Sequence, residues 1–310
     1  MHILDVAVPA LIYQYRNDFN AEEWLTFQEQ FSSEKDAISY LFHSKWPDGF
    51  RCPRCEHHHA YMITTRNLPL YQCRNCHHQT SLTVDTIMEN TRTPLLKWLI
   101  AIFLVSRTGC GINAKQLQER IKVTYKTSWT MLHVIRRAIS KADSEQSLTG
   151  TVRGGVGFCS QLPYSSTTEL QPQEKPVLIG ATLDERKQPA IIKMKLVDSK
   201  HMRTKHLTST SIQDFTEKHI DVGVVDVQLL QRFAFVKYNS IKNLFIYTAF
   251  HLKRTFKGLT SRYLQHYLDE ACFRINQSLH NKPAFENLSR LCMSTNRHLS
   301  ISVRQHRLLC

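Results

Sequence analysis

Long apolar runs are missing from this chain. The longest, Leu99–Val105 within Lys97–Ser106, falls far short of the ~18 residues that cross a bilayer, so it predicts a buried helix and leaves no candidate membrane span. The segment Met1–Leu11 lacks a basic start ahead of its short apolar run and lacks an A-x-A site, which predicts no secretory leader and a reducing cytoplasm. Acidic residues are scarce: 26 Asp and Glu face 40 Lys and Arg, giving a formal charge of +14 and a pI near 9.4. That balance favours a polyanion, and nucleic acid over a membrane surface, because the basic residues are spread along the chain. No internal repeat is present, which excludes a solenoid. Cysteine comes to an odd nine, which argues against a disulfide framework. With 310 residues and 42% hydrophobic content, the chain can form two or three domains with real cores.

What is there begins with two knuckles, Cys52-Pro53-Arg54-Cys55 and Cys73-Arg74-Asn75-Cys76. In C-x2-C both sulfurs reach one ion from a single tight turn, and the 17 residues between the knuckles suffice for a short β-hairpin. Cys52, Cys55, Cys73 and Cys76 are therefore expected to hold a structural zinc ion in a zinc ribbon, a folding element and not a catalytic one. His57, His58, His59, His77 and His78 stand nearby, but four thiolates already close the tetrahedron. Cys110, Cys159, Cys272, Cys292 and Cys310 show no paired spacing and are expected to be ordinary thiols.

Between Ala21 and Phe42 the residues Trp24, Phe27, Phe31, Ile38, Leu41 and Phe42 recur at helical intervals, interrupted at Ser32 and Ser33. This predicts two short helices, with Ser33 capping the second. Trp46-Pro47-Asp48-Gly49 predicts a turn into the ribbon, which ends near Asn90, and Pro94 opens a helix that runs to about Ser106 before Gly109 and Gly111 break it. A helix-turn-helix pattern follows: Ala114 to Ile121, a turn around Val123 to Lys126, then Thr127 to Ile139 with Met131, Ile135 and Ala138 on one face. If the second helix enters a major groove, its start nominates Lys126, Thr127 and Ser128 for base contact, with Lys122, Arg136 and Arg137 for phosphates. A plain helical hairpin with a basic solvated face fits the same pattern.

The polar stretch Ser140 to Ser147 predicts a boundary, after which strands are expected at Thr149–Val152, Pro176–Leu183, Ala190–Val197 and Gly223–Val227, with a loop over Ser160–Glu174. Helices are expected again at Leu244–Phe256 and Tyr263–Asn276. The fold class is thus a mixed α+β or α/β multidomain chain. Its expected divisions are a helical segment 1–43, the ribbon 44–90, the helix-turn-helix region 91–143, an α/β domain 147–280 and a C-terminal tail 281–310.

Several stretches resemble bacterial insertion-sequence transposases that place a zinc ribbon before an ISXO-type nuclease domain. The resemblance rests on Trp46-Pro-Asp-Gly-Phe-Arg-Cys-Pro-Arg-Cys55, on Tyr71-Gln-Cys-Arg-Asn-Cys-His-His-Gln-Thr-Ser-Leu-Thr83, on Trp98 and Leu117, and on Tyr125-Lys-Thr-Ser-Trp-Thr-Met-Leu-His133 followed by Arg136 and Arg137. Leu252-Lys-Arg254, Gly258, Tyr263-Leu-Gln-His-Tyr-Leu-Asp-Glu270 and Phe273-Arg-Ile-Asn276 extend it to about residue 280. It implies a ribonuclease H-like domain at 147–280, double-stranded DNA of transposon ends as partner, pairing of ends within a homo-oligomer, and a nucleoid-associated cytoplasmic location. It also implies two Mg2+ or Mn2+ ions, ~3.5 to 4 Å apart and bridged by carboxylates, that cleave and transfer strands.

At the metal-binding positions the chain departs from that pattern. Leu148-Thr-Gly-Thr-Val-Arg-Gly-Gly-Val-Gly-Phe158 puts Gly155 where the first Asp is expected and Arg153 where the acid before it would be. Glycine cannot bind a metal. By position, Asp226 in Gly223-Val-Val-Asp-Val-Gln228 stands for the second ligand and His251 in His251-Leu252-Lys253 for the third, while Lys253 is placed to touch the scissile phosphate. A strand-end carboxylate and a surface-helix histidine are equally good accounts of Asp226 and His251. Asp184, Glu185, Asp269 and Glu270 are poorer replacements, since a bridging ligand must come from the central strand. Two functions remain open: a transposase binding its terminal inverted repeats, with cleavage impaired, or a non-enzymatic DNA-binding repressor or regulator derived from one. A ribbon of transcription or translation machinery would explain only residues 44–90.

Overall fold

The computed structural model describes residues 21–297 apart from 66, 67, 108, 110, 160–168, 199, 201, 232, 233, 257 and 258. Cys110, Cys310, Gly258, most of the expected 160–174 loop and the start of the 1–43 segment lie outside these. The chain divides into two compact units, one of residues 19–106, 114–138 and 283–310, the other of 1–18, 107–113 and 139–282. The fold is mixed α/β and multidomain. Among the described residues no helix is long and apolar enough to cross a membrane.

The first unit opens with α1 (Ala21–Gln30) and α2 (Glu34–Lys45). Ser33 caps α2 as expected: its hydroxyl accepts from the Asp36 N–H, and the Asp36 carboxylate returns to the Ser33 N–H at 2.8 Å. The ribbon follows as an antiparallel sheet of β1 (Ala60–Ile63), β2 (Leu70–Cys73) and β3 (Gln79–Ser81), with β2 central. Under it Phe42, Trp46, Phe50 and Tyr71 meet edge to face or tilted, except Phe50 and Tyr71, which stack, with ring centroids 5.1 to 6.0 Å apart, favoured aromatic geometries.

The longest apolar run is α3 (Leu95–Ser106), buried on nearly every side. Its first N–H groups, on Leu95 and Leu96, bond the Glu34 carboxylate at 2.6 and 3.0 Å, an anion at the positive end of the helix. Two further helices, α4 (Ala114–Ile121) and α5 (Tyr125–Glu145), are joined by three residues. The polar Ser140–Glu145 stretch, expected as a boundary, is the last part of α5, so the composition shift precedes the helix end. The 281–310 segment holds α9 (Ala284–Ser294), which buries Leu288, Cys292 and Met293 and stacks Phe285 on Tyr40. Residues 284–294 of the expected tail are therefore a packed helix.

The second unit is built on a four-stranded sheet of β4 (Thr151–Cys159), β5 (Lys175–Leu183), β6 (Pro189–Leu196) and β9 (Val227–Leu230). Their order is β6-β5-β4-β9; the first three are antiparallel neighbours, and β9 lies parallel to β4. The short strands β7 (Met202–Arg203) and β8 (His206–Leu207) pair with each other and lead to α6 (Ser209–His219). One face of the sheet, with Val177, Ile179, Ile192 and Met194, packs against Phe235 and against Leu244 and Phe245 of α7 (Asn239–Thr255) and Leu268 and Cys272 of α8 (Ser261–Leu279). The other, with Val152, Val156 and Leu178, packs against Phe215 and Ile220. Burial on both faces explains the near-continuous apolar run of β5, while β6 breaks its run with Lys193 and Lys195, both paired with Asp143.

The outer edge of β6 is closed by α8. Asn276 bonds the N–H and C=O of Ile192 at 2.8 and 3.1 Å, and Gln265 bonds the Leu196 N–H and Met194 C=O at 2.8 and 3.0 Å. Two side-chain amides thus stand in for a neighbouring strand and remove a free edge.

Candidate metal centre and nucleic-acid interface

The two cysteine knuckles adopt the same backbone course. The Glu56 N–H returns to the Cys52 carbonyl at 2.9 Å and the His77 N–H to that of Cys73 at 3.1 Å. In both, the residue after the second cysteine, Glu56 or His77, is left-handed, with φ of 59° and 55°. A side chain there is strained, and the turn tolerates it because it aims both sulfurs of each knuckle at one point. Sγ–Sγ distances are 3.6 Å for Cys52–Cys76 and Cys55–Cys73 and 3.3 Å for Cys55–Cys76, and all four sulfurs lie within 4.8 Å of one another. A zinc tetrahedron with Zn–S of ~2.3 Å has edges of ~3.8 Å, so the donor set and its spacing fit that ion. Among the described residues it is the one group of three or more His, Cys, Asp or Glu side chains that converges in this way.

The electrostatics agree with a cation there. The His57 N–H, and then the neighbouring Cys76 sulfur, pull the Cys55 thiol down to about 6. Cys76 receives the His78 N–H, which lowers it, yet burial and the three surrounding sulfurs together raise it to about 12. Four sulfurs this close cannot all ionise unaided, and a divalent cation relieves their repulsion.

The helix pair lies where the sequence places it, but with a different surface. α4 matches the expected Ala114–Ile121, while α5 begins at Tyr125, two residues earlier than expected. Thr124 precedes it, and its hydroxyl accepts from the Thr127 N–H at 3.2 Å and meets the Thr127 hydroxyl at 2.9 Å, so Thr127 is engaged in the helix start. Ser128 and Arg136, nominated for base and phosphate, are 0% and 1% exposed and have no surface to offer DNA. They fall on the inward stripe with Met131, Leu132 and Ile135. Arg137 is half-buried, and Lys122 and Lys126 are exposed. Tyr125, 55% exposed, stands beside Lys126; sequence periodicity missed it because a large aromatic reads as core.

In the second unit the nominated catalytic groups stay apart in role. Asp226 is not on the expected strand at Gly223–Val227; the strand is Val227–Leu230 and Asp226 precedes it. Its carboxylate is gripped by Arg153, with Nη1–Oδ1 and Nη2–Oδ2 both 2.8 Å, and the Arg153 hydrogen bonds hold it below the usual carboxylate range. The register pairs Gly155 with Leu230, so a group sharing a cation with position 155 must come from the far end of β9. Asp226 lies four residues back, ~13 Å at ~3.3 Å per residue. His251 is half-buried on α7 with its ring 4.0 Å from that of Tyr247; burial first, then Arg254 and Arg274, lower its pKa. Lys253 is exposed.

Position 155 itself is full. A Cβ on Gly155 would lie 2.6 Å from the Phe235 ring and 2.8 Å from the Leu230 carbonyl, and one on Gly157 would lie 2.1 Å from the Phe245 ring. Two aromatic side chains occupy the space over β4 in which a carboxylate would have to stand. Gln231, just past β9, is turned to β8, where it bonds the Leu207 N–H and C=O at 2.9 and 3.1 Å. Three of the four alternative acids also have structural partners, and the fourth, Glu185, is exposed in the β5–β6 turn. Asp269 meets Lys195 at 2.7 Å, Glu270 pairs with Arg274, and Asp184 receives the Gln188 N–H at 2.8 Å in the β5–β6 turn. The described residues do not fit a pair of bridged Mg2+ or Mn2+ ions.

Comparison with known proteins agrees with the ribbon. Residues 32–79 match the transposase zinc-ribbon domain. A stretch of 114 residues, 35% of this chain, is 28% identical to an uncharacterized protein in transposable element ISH50 of Halobacterium salinarum. That match spans 37% of the relative's length. No solved structure matches. Residues 32–79 are thus similar to the transposase zinc-ribbon domain, and about a third of the chain is similar to a protein carried by an insertion element.

Proposed function

We propose that this protein is an insertion-sequence transposase that binds the terminal inverted repeats of its element and no longer cuts them. The observation that carries this reading is the contrast between a zinc-ribbon site with all four ligands gathered and a sheet whose position 155 is filled by Phe235. The sheet's order, three antiparallel strands with a fourth parallel to the first and helices on both faces, supports a ribonuclease H-like ancestry for this unit. On DNA, the start of α5 faces a major groove, Tyr125 and Lys126 meeting base edges and Lys122 the phosphates. A second copy completes the pairing of two element ends, and the complex sits on the chromosome in the cytoplasm.

A second reading, a regulator that represses active copies by occupying the same ends, is favoured by the intact ribbon beside the filled sheet. Both are tested on duplexes carrying the repeats that flank the gene. Replacing Lys122 and Lys126 by Ala should weaken binding about tenfold or more and flatten the salt dependence by roughly one phosphate contact, that of Lys122. No nick should form in Mn2+. Unchanged affinity would sink the helix assignment, and a nicked strand would show that the unit still cuts. Repression of an active copy in cells would select the regulator.

A further inference from the structure

The helix α7 carries a surface that neither the ribbon nor the helix pair accounts for. Its inward side, Ile241, Leu244, Phe245, Thr248 and Leu252, is buried in the second unit's core. Over its 17 residues it carries Lys242, Lys253 and Arg254 and no Asp or Glu. On the outward side Ile246 and Phe250 are 51% and 59% exposed. Four residues apart, they sit one above the other on one face of the helix. Lys242 lies four residues before Ile246 and Lys253 three residues after Phe250, so an exposed apolar pair is bracketed by ammonium groups along one stripe. Single exposed apolar residues are ordinary, but a phenyl ring held outward between lysines with no carboxylate on the helix is a defined chemical surface.

From this we infer that the outward face of α7 binds an unpaired DNA strand, one base stacking on Phe250 and flanking phosphates meeting Lys242, Lys253 and Arg254. A duplex keeps the faces of its bases inside the stack, and a phenyl ring against its sugar-phosphate backbone gains little. An unpaired strand offers open π-faces at the spacing of its charges, and aromatic platforms beside basic groups are how such strands are held without sequence preference. An acidic peptide would satisfy the lysines but offers no flat partner for the ring.

The test is fluorescence anisotropy of the full chain with a labelled oligothymidylate and, on the same samples, a labelled duplex. Phe250→Ala should weaken oligothymidylate binding roughly tenfold, the loss of one stacked base, while Phe250→Trp retains it and duplex binding by the helix pair is unchanged. Equal oligothymidylate affinity for Phe250→Ala and the parent protein would overturn the inference. So would light scattering that shows Phe250→Ala dissociating an oligomer with no change in oligothymidylate affinity, which would make the face a contact between copies. Failure in the duplex arm alone would count against the helix pair and not against α7.

Discussion

The ribbon and the four-stranded sheet are both regions in which a constellation of side chains would hold metal, and they differ in how those side chains are brought together. In the ribbon, each pair of sulfurs comes from one tight turn, so local backbone geometry does most of the work and one hairpin does the rest. In the sheet, ligands would have to come from β4, from the end of β9 and from α7, three elements whose relation depends on the whole core. A site of the first kind survives as long as its short motifs do. A site of the second kind depends on packing, and here Phe235 and Phe245 lie against Gly155 and Gly157 of β4, where a Cβ would meet their rings.

The largest expected effect tests the ribbon's side of that contrast. Cys73→Ser, or removal of zinc by a chelator, should unfold the ribbon, because structural zinc contributes on the order of 10 kcal/mol to modules of this kind. Zinc stoichiometry and the ellipticity of the variant check it, with the melting of the second unit left in place. If the ribbon keeps its structure without metal, its dependence on the four sulfurs is wrong.

Gly155→Asp tests the sheet's side with the next largest effect. A carboxylate there meets the Phe235 ring and the Leu230 carbonyl, so the variant should lose roughly 2–4 kcal/mol by overpacking and by burying an unpaired polar group, and it should gain no Mn2+ affinity. Denaturant melts and Mn2+ titration calorimetry decide it. A variant that folds as well as the parent and binds Mn2+ would mean the site lacks only its first ligand.

The smallest effect separates the two units by pH. His219, at the end of α6, is lowered to about 4, first by burial and then by Lys195 and Lys193. A folded-state pKa below the ordinary 6.5 means the unfolded chain binds a proton that the folded one refuses. The second unit should therefore keep full stability above pH ~6.5 and lose it as pH falls toward 4, by about 1 kcal/mol once solvent around the half-buried ring is allowed for. His219→Gln should flatten that slope in a pH series of thermal melts, and an unchanged slope would assign the acid sensitivity elsewhere.

Much of this was legible in the residues. The capping of α2 by Ser33, the bounds of α4, the buried α3 and the gathering of the four cysteines follow from short-range rules of capping, periodicity and thiolate spacing. Errors arose where a neighbour distant in sequence decides. Ser128 and Arg136 are polar residues that periodicity leaves on the surface, yet they lie on the buried stripe of α5. Asp226 looked like a strand carboxylate and is a partner for Arg153, which lies 73 residues away.

Residue type and spacing within one turn or hairpin were thus enough for the four-cysteine cluster, most of the helices and the basic character, but not for the bounds of β4 and β9. What can stand at residue 155 is set by packing in the folded chain. Whether a carboxylate can stand at residue 155 depends on Phe235 and Phe245, on which face of β4 they cover, and on the register that sets Leu230 opposite Gly155. Those are packing relations across the core, and no local motif encodes them.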